Sequence, residues 1–531
     1  MNIAARPIAA ALLLWASALS AGEVVDLDMV TRIRDEGFRD SKVMALASEL
    51  MDRIGARLTG SPNMRRANDW ARQKLESWGL SNAHLEAWGP FGRGWEYEEC
   101  EVRMLSPDTA ELFALPEAWT AGTDGSVRGS AIRVKASSRE ELEKFKGKLA
   151  GRVVLFGDLP EIKPHEKADS ERYDEKALEQ LFEYEIPGGP ARYDREAYRK
   201  RRELREAAGK FFVEEKALAV VLPSRRDGLL TVQGAGSWKV GEPVPLPTLV
   251  MSVEHFGRIE RLLERDIAVE LELDVKARIL DADPTQYNTV AEIPGTDKKG
   301  EVVLLGAHLD SWHAGTGATD NGAGVVAVME AMRILKAAGV QPRRTIRIAL
   351  WSGEEQGLLG SRAYVAAHFA TRPEPTDPEQ KKLPEWLRKS TWPITTKPEH
   401  ARLSAYFNLD NGTGKIRGIY TEENAAVVPI FEGWIAPLRD LGVTTVTMRD
   451  TTGTDHESFD AVGLPGFQFV QDEIEYETRT HHTNLDTYER LVRPDLMQAS
   501  VVIACFAYDA AMRESMLPRK PMPKERPAEK K

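Results

Sequence analysis

Hydrophobic positions recur at two spacings along this chain, and the changes between them mark its organisation. Residues 25–90 carry helical spacing, with Val43, Leu46, Leu50 and Ile54 on one face and Trp70, Leu75 and Trp78 on another. Between those faces, Arg57-Leu58-Thr59-Gly60-Ser61-Pro62 predicts a turn-forming loop. From about Val102 the pattern shortens to β runs split by Gly and Pro, as in Val153 to Phe156 and Ala217 to Leu222. A Glu- and Arg-rich stretch from Tyr184 to Ala208 predicts a solvated helix, and Pro245 to Val250 closes the region. These features predict a β-rich inserted domain over residues 115–255.

From Tyr287 the pattern alternates strand and helix. Val302 to Leu305 predicts a buried strand. Gly322 to Ala338 predicts a helix with Val325, Met329, Met332 and Leu335 on one face, ended by Gly339. Ile346, Ile348 and Leu350 alternate as the next strand. This order predicts an α/β fold: a mostly parallel mixed sheet with helices on both faces, formed by residues 22–114 and 256–515. Ligands of such sheets sit beyond the carboxyl ends of the strands. Thr371 to His400 is expected to be a surface insertion, and residues 516–531 a disordered tail.

The length of 531 residues agrees with more than one domain. Lys and Arg number 71 against 82 Asp and Glu, a net charge of −11, which argues against a nucleic-acid surface. Residues 1–21 resemble a secretory signal, with Arg6 before the apolar run Ile8 to Ala18 and small residues after it. That run is shorter than the roughly 20 apolar residues of a membrane span, and no later stretch is expected to span either. An exported protein, periplasmic or extracellular, is therefore expected. Cys100 and Cys505 are too few for a disulfide framework.

The chemistry is concentrated in five short segments beside predicted strand ends. They are Gly306-Ala307-His308-Leu309-Asp310-Ser311, Ala318-Thr319-Asp320-Asn321-Gly322, Ser352-Gly353-Glu354-Glu355-Gln356-Gly357, Asn408-Leu409-Asp410-Asn411-Gly412 and His481-His482-Thr483-Asn484-Leu485-Asp486. Imidazole and carboxylate without thiolate form the ligand set of a catalytic zinc or a similar divalent ion. The chain holds only ten His, so their presence here carries weight. His308-Leu309-Asp310 alone would be weak evidence; five such segments in one α/β body point to metal-assisted hydrolysis.

With His308-Leu309-Asp310-Ser311-Trp312 and Trp351 to Ser361 as its most specific parts, the chain resembles metallopeptidase family 28, the co-catalytic zinc exopeptidases. The resemblance covers about Arg57 to Trp78 and Tyr287 to Met512, and the inserted domain resembles a protease-associated domain. It implies two Zn²⁺ per chain: His308 and Asp410 on one, Glu355 and His482 on the other, Asp320 bridging. It implies Glu354 as general base. Asp310 is placed to orient His308, Asp486 is a similar candidate near His482, and the Asp320–Asn321 peptide is a candidate cis bond. His481 stands where some relatives carry an oxyanion-stabilising Tyr and could act as a donor; a packing role is the other reading. His456 is open between a site role and packing, whereas His313 and Trp312 read as loop and packing residues.

The implied activity is removal of a terminal residue from peptide substrates, with an aminopeptidase favoured. The alternative is a carboxypeptidase or dipeptidase of the plasma glutamate carboxypeptidase type, for which Arg449 or Arg479 could anchor a carboxylate. A receptor-like binding protein would have lost ligands, and all five are present here. A glutaminyl cyclase would use one metal, whereas His308, Asp410 and His482 together favour a two-metal hydrolase.

Overall fold

The computed structural model describes residues 23–184, 195–235, 238–384 and 387–525, so the expected signal segment lies outside the described residues. Two eight-stranded sheets organise the chain. The first runs in the order Ser81–Trp88, Gln286–Ile293, Thr345–Trp351, Val302–His308, Leu403–Asn408, Gly466–Gln471, Ile416–Tyr420, Thr445–Thr447. Its centre is parallel: Val302–His308 pairs in parallel with both Thr345–Trp351 and Leu403–Asn408, and the latter with Gly466–Gln471. Antiparallel strands enter towards both edges. Ser81–Trp88, expected to be helical, is one of them; its neighbour Gln286–Ile293 supplies the hydrogen-bonding edge that overrides the local pattern.

Alternation along the central strand distributes side chains to the two faces. Val303, Leu305 and Ala307 join the larger core with the helices Leu27–Arg39, Ala323–Ala337 and Arg493–Met512, while Leu304 joins a smaller core on the opposite face. The helix Ala323–Ala337 matches the expected 322–338, and Gly339 follows it at φ +74°. Helix crossings are tight: a Cβ on Gly37 would lie 2.3 Å from Val501 Cγ2. Arg493–Met512 does reach the length and composition of a membrane span, contrary to expectation, but 89% of its apolar window is buried within the protein. It is the central helix of the core.

The second sheet runs Ala110–Glu111, Gly94–Ser106, Glu270–Leu280, Val127–Val134, Val153–Phe156, Ala219–Pro223, Thr248–Met251, Ala114–Pro116. Its strands extend from residue 94 to residue 280, beyond the expected 115–255, because Gly94–Ser106 and Glu270–Leu280 pair with each other along most of their length. The polar helix is observed over Arg195–Glu214, and its Ala208, Phe211 and Phe212 are buried against the sheet rather than solvated. Cys100 and Cys505 are separate free thiols.

The tail is the clearest departure. Leu517 is 3% exposed, its N–H donates to Ser404 Oγ (3.2 Å), and Arg519 donates to the carbonyls of His400 (2.8 Å) and Leu403 (2.7 Å). An apolar anchor and a planar guanidinium dock a segment whose Pro and Lys content reads as disordered. Leu517→Ala should therefore destabilise the chain by about 2–4 kcal/mol in urea unfolding. A change below about 0.5 kcal/mol would show that the docking contributes nothing.

Candidate metal centre

Each candidate ligand comes from the carboxyl edge of the first sheet. His308 ends the strand Val302–His308, Glu354 and Glu355 follow Thr345–Trp351, and Asp410 follows Leu403–Asn408. Asp320 lies in the turn leading into the helix Ala323–Ala337, and its peptide bond to Asn321 is cis, as expected. His482 arrives on a longer excursion from Gly466–Gln471 and sits at φ +60°, in the left-handed region.

These five side chains converge. His308 Nε2 lies 3.4 Å from Asp320 Oδ1 and 3.3 Å from Asp410 Oδ1. His482 Nε2 lies 3.2 Å from Asp320 Oδ2 and 3.1 Å from Glu355 Oε2. Asp320 thus turns one oxygen to each group, and each group holds one imidazole and one further carboxylate. His308 Nε2, Asp320 Oδ2, Glu355 Oε1 and Asp410 Oδ1 are buried without a hydrogen-bond partner. Buried polar atoms ordinarily have one, so this set fits cations held between them.

Charge tells the same story. Burial, reinforced by Asp320, pushes the Glu355 carboxyl well above its usual range, and burial with the charges of Asp410, Asp455 and Asp310 does so for Glu354. Burial and the neighbouring His481 lower His482 to about 3. Burial opposes charge on His308 as well, yet Asp410 and Glu354 hold its imidazole well above the usual value. So many acidic groups cannot all ionise in one buried space unless positive charge joins them.

A second layer of residues fixes the ligands, and here the structure redraws two expected contacts. Asp310 was expected to orient His308 through its carboxylate; the imidazole Nδ1 lies 3.0 Å from the Asp310 backbone carbonyl, with the carboxylate Oδ1 farther off at 3.7 Å. The Asp310 carboxylate instead accepts from Thr59 Oγ1 (2.9 Å), Glu354 N–H (3.2 Å) and Glu355 N–H (3.3 Å), fixing the turn that presents both glutamates. Asp486 was expected near His482, but it accepts from Thr319 N–H (2.6 Å), Thr319 Oγ1 (2.7 Å) and Asp320 N–H (3.2 Å). It holds Asp320. Burial, with the charge of Asp320, raises Asp486 to about 7.

Arg57 was not singled out by sequence. Fully buried, it donates from Nε to Leu309 O (2.7 Å), from Nη1 to Gly55 O (3.0 Å) and Thr316 O (2.7 Å), and from Nη2 to Gly317 O (2.7 Å). Its planar fork ties the loops before Asp320 to the loop carrying Thr59. Tyr476 was also missed: it is buried, it stacks on His481 at 4.8 Å, and Asp320, Asp410 and Glu355 add to burial in raising its phenol. Neither has a sequence signal, since each is distant in sequence from what it touches or lies in no motif.

His481 is less deeply placed than His482. Its Nε2 is 3.9 Å from Asp320 Oδ2, and its Nδ1 faces Glu477 at 3.7 Å. His456 is buried against Glu422, with Nε2 3.5 Å from Oε1. His313 packs edge-on against Trp95 and Tyr97, with Nε2 2.8 Å from Pro116 O. Arg449 donates to the carbonyls of Glu183 and Gln180, and Arg479 pairs with Asp169 at 3.2 Å. Both arginines are engaged with the segment 169–183.

The sequence profile of Peptidase family M28 matches residues 288–507. The chain is 27% identical to carboxypeptidase Q of Mus musculus over 473 residues, covering 88% of this chain and 86% of that protein. A peptidase M28 precursor from Shewanella amazonensis aligns at a TM-score of 0.63 and 25% identity, over 94% of this chain and 99% of that one. A zinc aminopeptidase from Bacillus subtilis shares the fold at a TM-score of 0.53 and 18% identity, over 89% and 95% of the two chains.

Asp310→Ala strands three buried donors and should cost at least about 3 kcal/mol in urea unfolding, since hydrogen bonds to a charged acceptor contribute about 1.5–3 kcal/mol each. Asp310→Asn keeps one acceptor oxygen and should cost less. Equal losses in the two variants would contradict the hydrogen-bonding role.

Proposed function

We propose, from the match of residues 288–507 to Peptidase family M28, that the chain is an exported di-zinc exopeptidase favouring substrates with a free α-amine. One observation carries the site assignment: Asp320 divides its two oxygens between the His308–Asp410 and the Glu355–His482 groups. His308 and Asp410 would hold one zinc, Glu355 and His482 the other, and Asp320 both. His482 is preferred to His481 because its Nε2 is the nearer to Asp320, and it also faces Glu355. Bound there, zinc supplies Lewis-acid polarisation of the scissile carbonyl and an acidified water.

The chain's own residues do the rest. Asp310 fixes the Glu354 backbone, which places the carboxylate beside the two groups without making it part of either. Glu354 takes the proton of the attacking water on a carboxylate oxygen and returns it to the leaving nitrogen, so the general base ends each cycle unchanged. His481, whose Nε2 lies 3.9 Å from Asp320 Oδ2, is the N–H donor towards the developing oxyanion. The second sheet is read as the protease-associated-like insertion, with its boundaries widened to about 94–280. Export rests on the leader-like residues 1–21.

Terminal preference follows from charge. With Asp410, Asp320 and Glu355 offset by the zinc ions, Glu354 and the buried Asp455, which burial lifts to about 7, are the carboxylates left beside the centre. An ammonium is favoured beside the scissile bond and a carboxylate disfavoured. Arg449 and Arg479, the two candidates for a carboxylate anchor, both contact the segment 169–183, though Arg479 Nε has no hydrogen-bond partner. The carboxypeptidase or dipeptidase reading is supported by the near full-length similarity to carboxypeptidase Q.

Glu354→Gln should lower kcat by about 10²–10⁴-fold or more while both zinc ions remain, checked by steady-state kinetics and metal analysis. Loss of zinc with retained activity per bound metal would reverse the roles of Glu354 and Glu355. Free dipeptides should be cleaved at least ~100-fold faster than their N-acetyl forms, equivalent to about 3 kcal/mol of lost charge contact. If N-acetyl dipeptides are cleaved as readily while C-terminal amides resist, the carboxypeptidase reading replaces this one.

A further inference from the structure

The loop that carries His482 is gripped by a segment of the region between the two halves of the first sheet. Val232 N–H donates to His482 O (3.1 Å), Leu230 N–H to Asn484 Oδ1 (2.7 Å) and Asn484 N–H to Leu230 O (3.1 Å), while Thr231 forms a β-bridge with Thr483. His482 occupies the left-handed region, where a residue with a Cβ stays only if its surroundings enforce it. Gly234 follows closely: a Cβ there would meet the Trp119 ring at 2.4 Å and the Trp312 ring at 3.4 Å. Trp312 in turn packs edge-on against the His482 ring, with centroids 6.2 Å apart.

One side-chain contact links this grip to the proposed chemistry. The Gln233 carboxamide nitrogen lies 3.0 Å from His482 Nδ1, on the side of the ring opposite the nitrogen that faces Asp320 and Glu355. We propose that Gln233 is a positioning residue for His482, holding its ring and serving both imidazole tautomers. Without metal, Nε2–H donates towards the carboxylates and Nδ1 accepts from the Gln233 amide. With metal, Nε2 must present its lone pair, so the proton sits on Nδ1. A half-turn of the carboxamide then places its oxygen to accept that proton. Gln is one of the few side chains that can do both. A carboxylate could serve only the metal-bound tautomer, and a thioether would serve neither.

The proposal rests on the di-zinc reading, and its test separates the two. Gln233→Met, which keeps length but removes the hydrogen bond, and Gln233→Glu, which keeps an acceptor, are made in the full chain. Zinc affinity is measured by chelator competition, and melting of the metal-free protein is followed alongside. Gln233→Met should weaken the weaker zinc step by about 10–100-fold, as loss of a partner to a ligating His typically does. Gln233→Glu should restore affinity to within a few-fold of the parent or better. The metal-free melting temperature should fall by no more than a few degrees in either variant, as expected for one lost hydrogen bond worth about 1 kcal/mol. In a His482→Ala background, Gln233→Met should have no further effect on zinc. Unchanged affinity in Gln233→Met, an equal loss in Gln233→Glu, or the same loss without His482 each overturns the positioning role while leaving the di-zinc reading in place. A parent chain that binds no zinc overturns both.

Discussion

Asp320 is held between two imidazoles, with one oxygen facing His308 and the other His482, and the neighbouring architecture serves that placement. Two unit charges about 4 Å apart repel by about 4 kcal/mol at an effective dielectric of 20. Asp320, Asp410, Glu355 and Glu354 therefore crowd one another at a cost that burial increases. The turns that carry these groups are fixed by two more carboxylates: Asp486 accepts from the N–H groups of Thr319 and Asp320, and Asp310 from those of Glu354 and Glu355, which holds the geometry but adds to the negative charge. Neither arrangement supplies positive charge, and the His308 imidazole and the buried Arg57 guanidinium are fewer than the acids they face. On the proposed reading, two dications supply the remainder.

The central parallel strands explain why these residues meet. Adjacent parallel strands end at the same edge, so side chains separated by about a hundred residues arrive side by side. His482 is the exception, because its loop is long and its backbone conformation unfavourable for a residue with a Cβ. The molecule supports it from outside the first sheet, through residues 230–233. A site assembled from strand ends alone would leave this ligand poorly held. The intervening region is therefore part of the centre's mechanical support.

What could be read in advance divides along physical lines. The strand Val302–His308, the helix Ala323–Ala337 and the five converging side chains were legible because local periodicity and motif chemistry agree there. Ser81–Trp88 was misread because its conformation is imposed by a partner two hundred residues away. The docked tail was missed because a single Leu and a single Arg, in an otherwise polar stretch, carry its contacts. The partners of the Asp310 and Asp486 carboxylates were incompletely read for a subtler reason: Asp310 does face His308, but chiefly through its backbone carbonyl. Both lie next to a His motif in sequence, yet their carboxylates accept from backbone N–H groups of other ligand-bearing turns. Sequence proximity pointed to the imidazole; the unpaired amides of tight turns were the stronger claim on a buried acceptor.

The same competition for partners bears on substrate choice. Arg449 and Arg479 have the chemistry to bind a terminal carboxylate, but sequence alone does not place their side chains. In the fold, the segment 169–183 engages both of them, Arg449 through its carbonyls and Arg479 through Asp169. Arg172 in the same segment pairs with the buried Asp472 and Asp495, which pins the segment to the first sheet. Releasing either arginine would require breaking these contacts before any substrate carboxylate could gain from it. On the proposed reading a free ammonium meets no such obstacle, since Glu354 and Asp455 are the carboxylates near the centre that are not assigned to a metal. On that same reading, the segment 169–183 thus bears on terminal preference by occupying two cations that a carboxylate anchor could otherwise use.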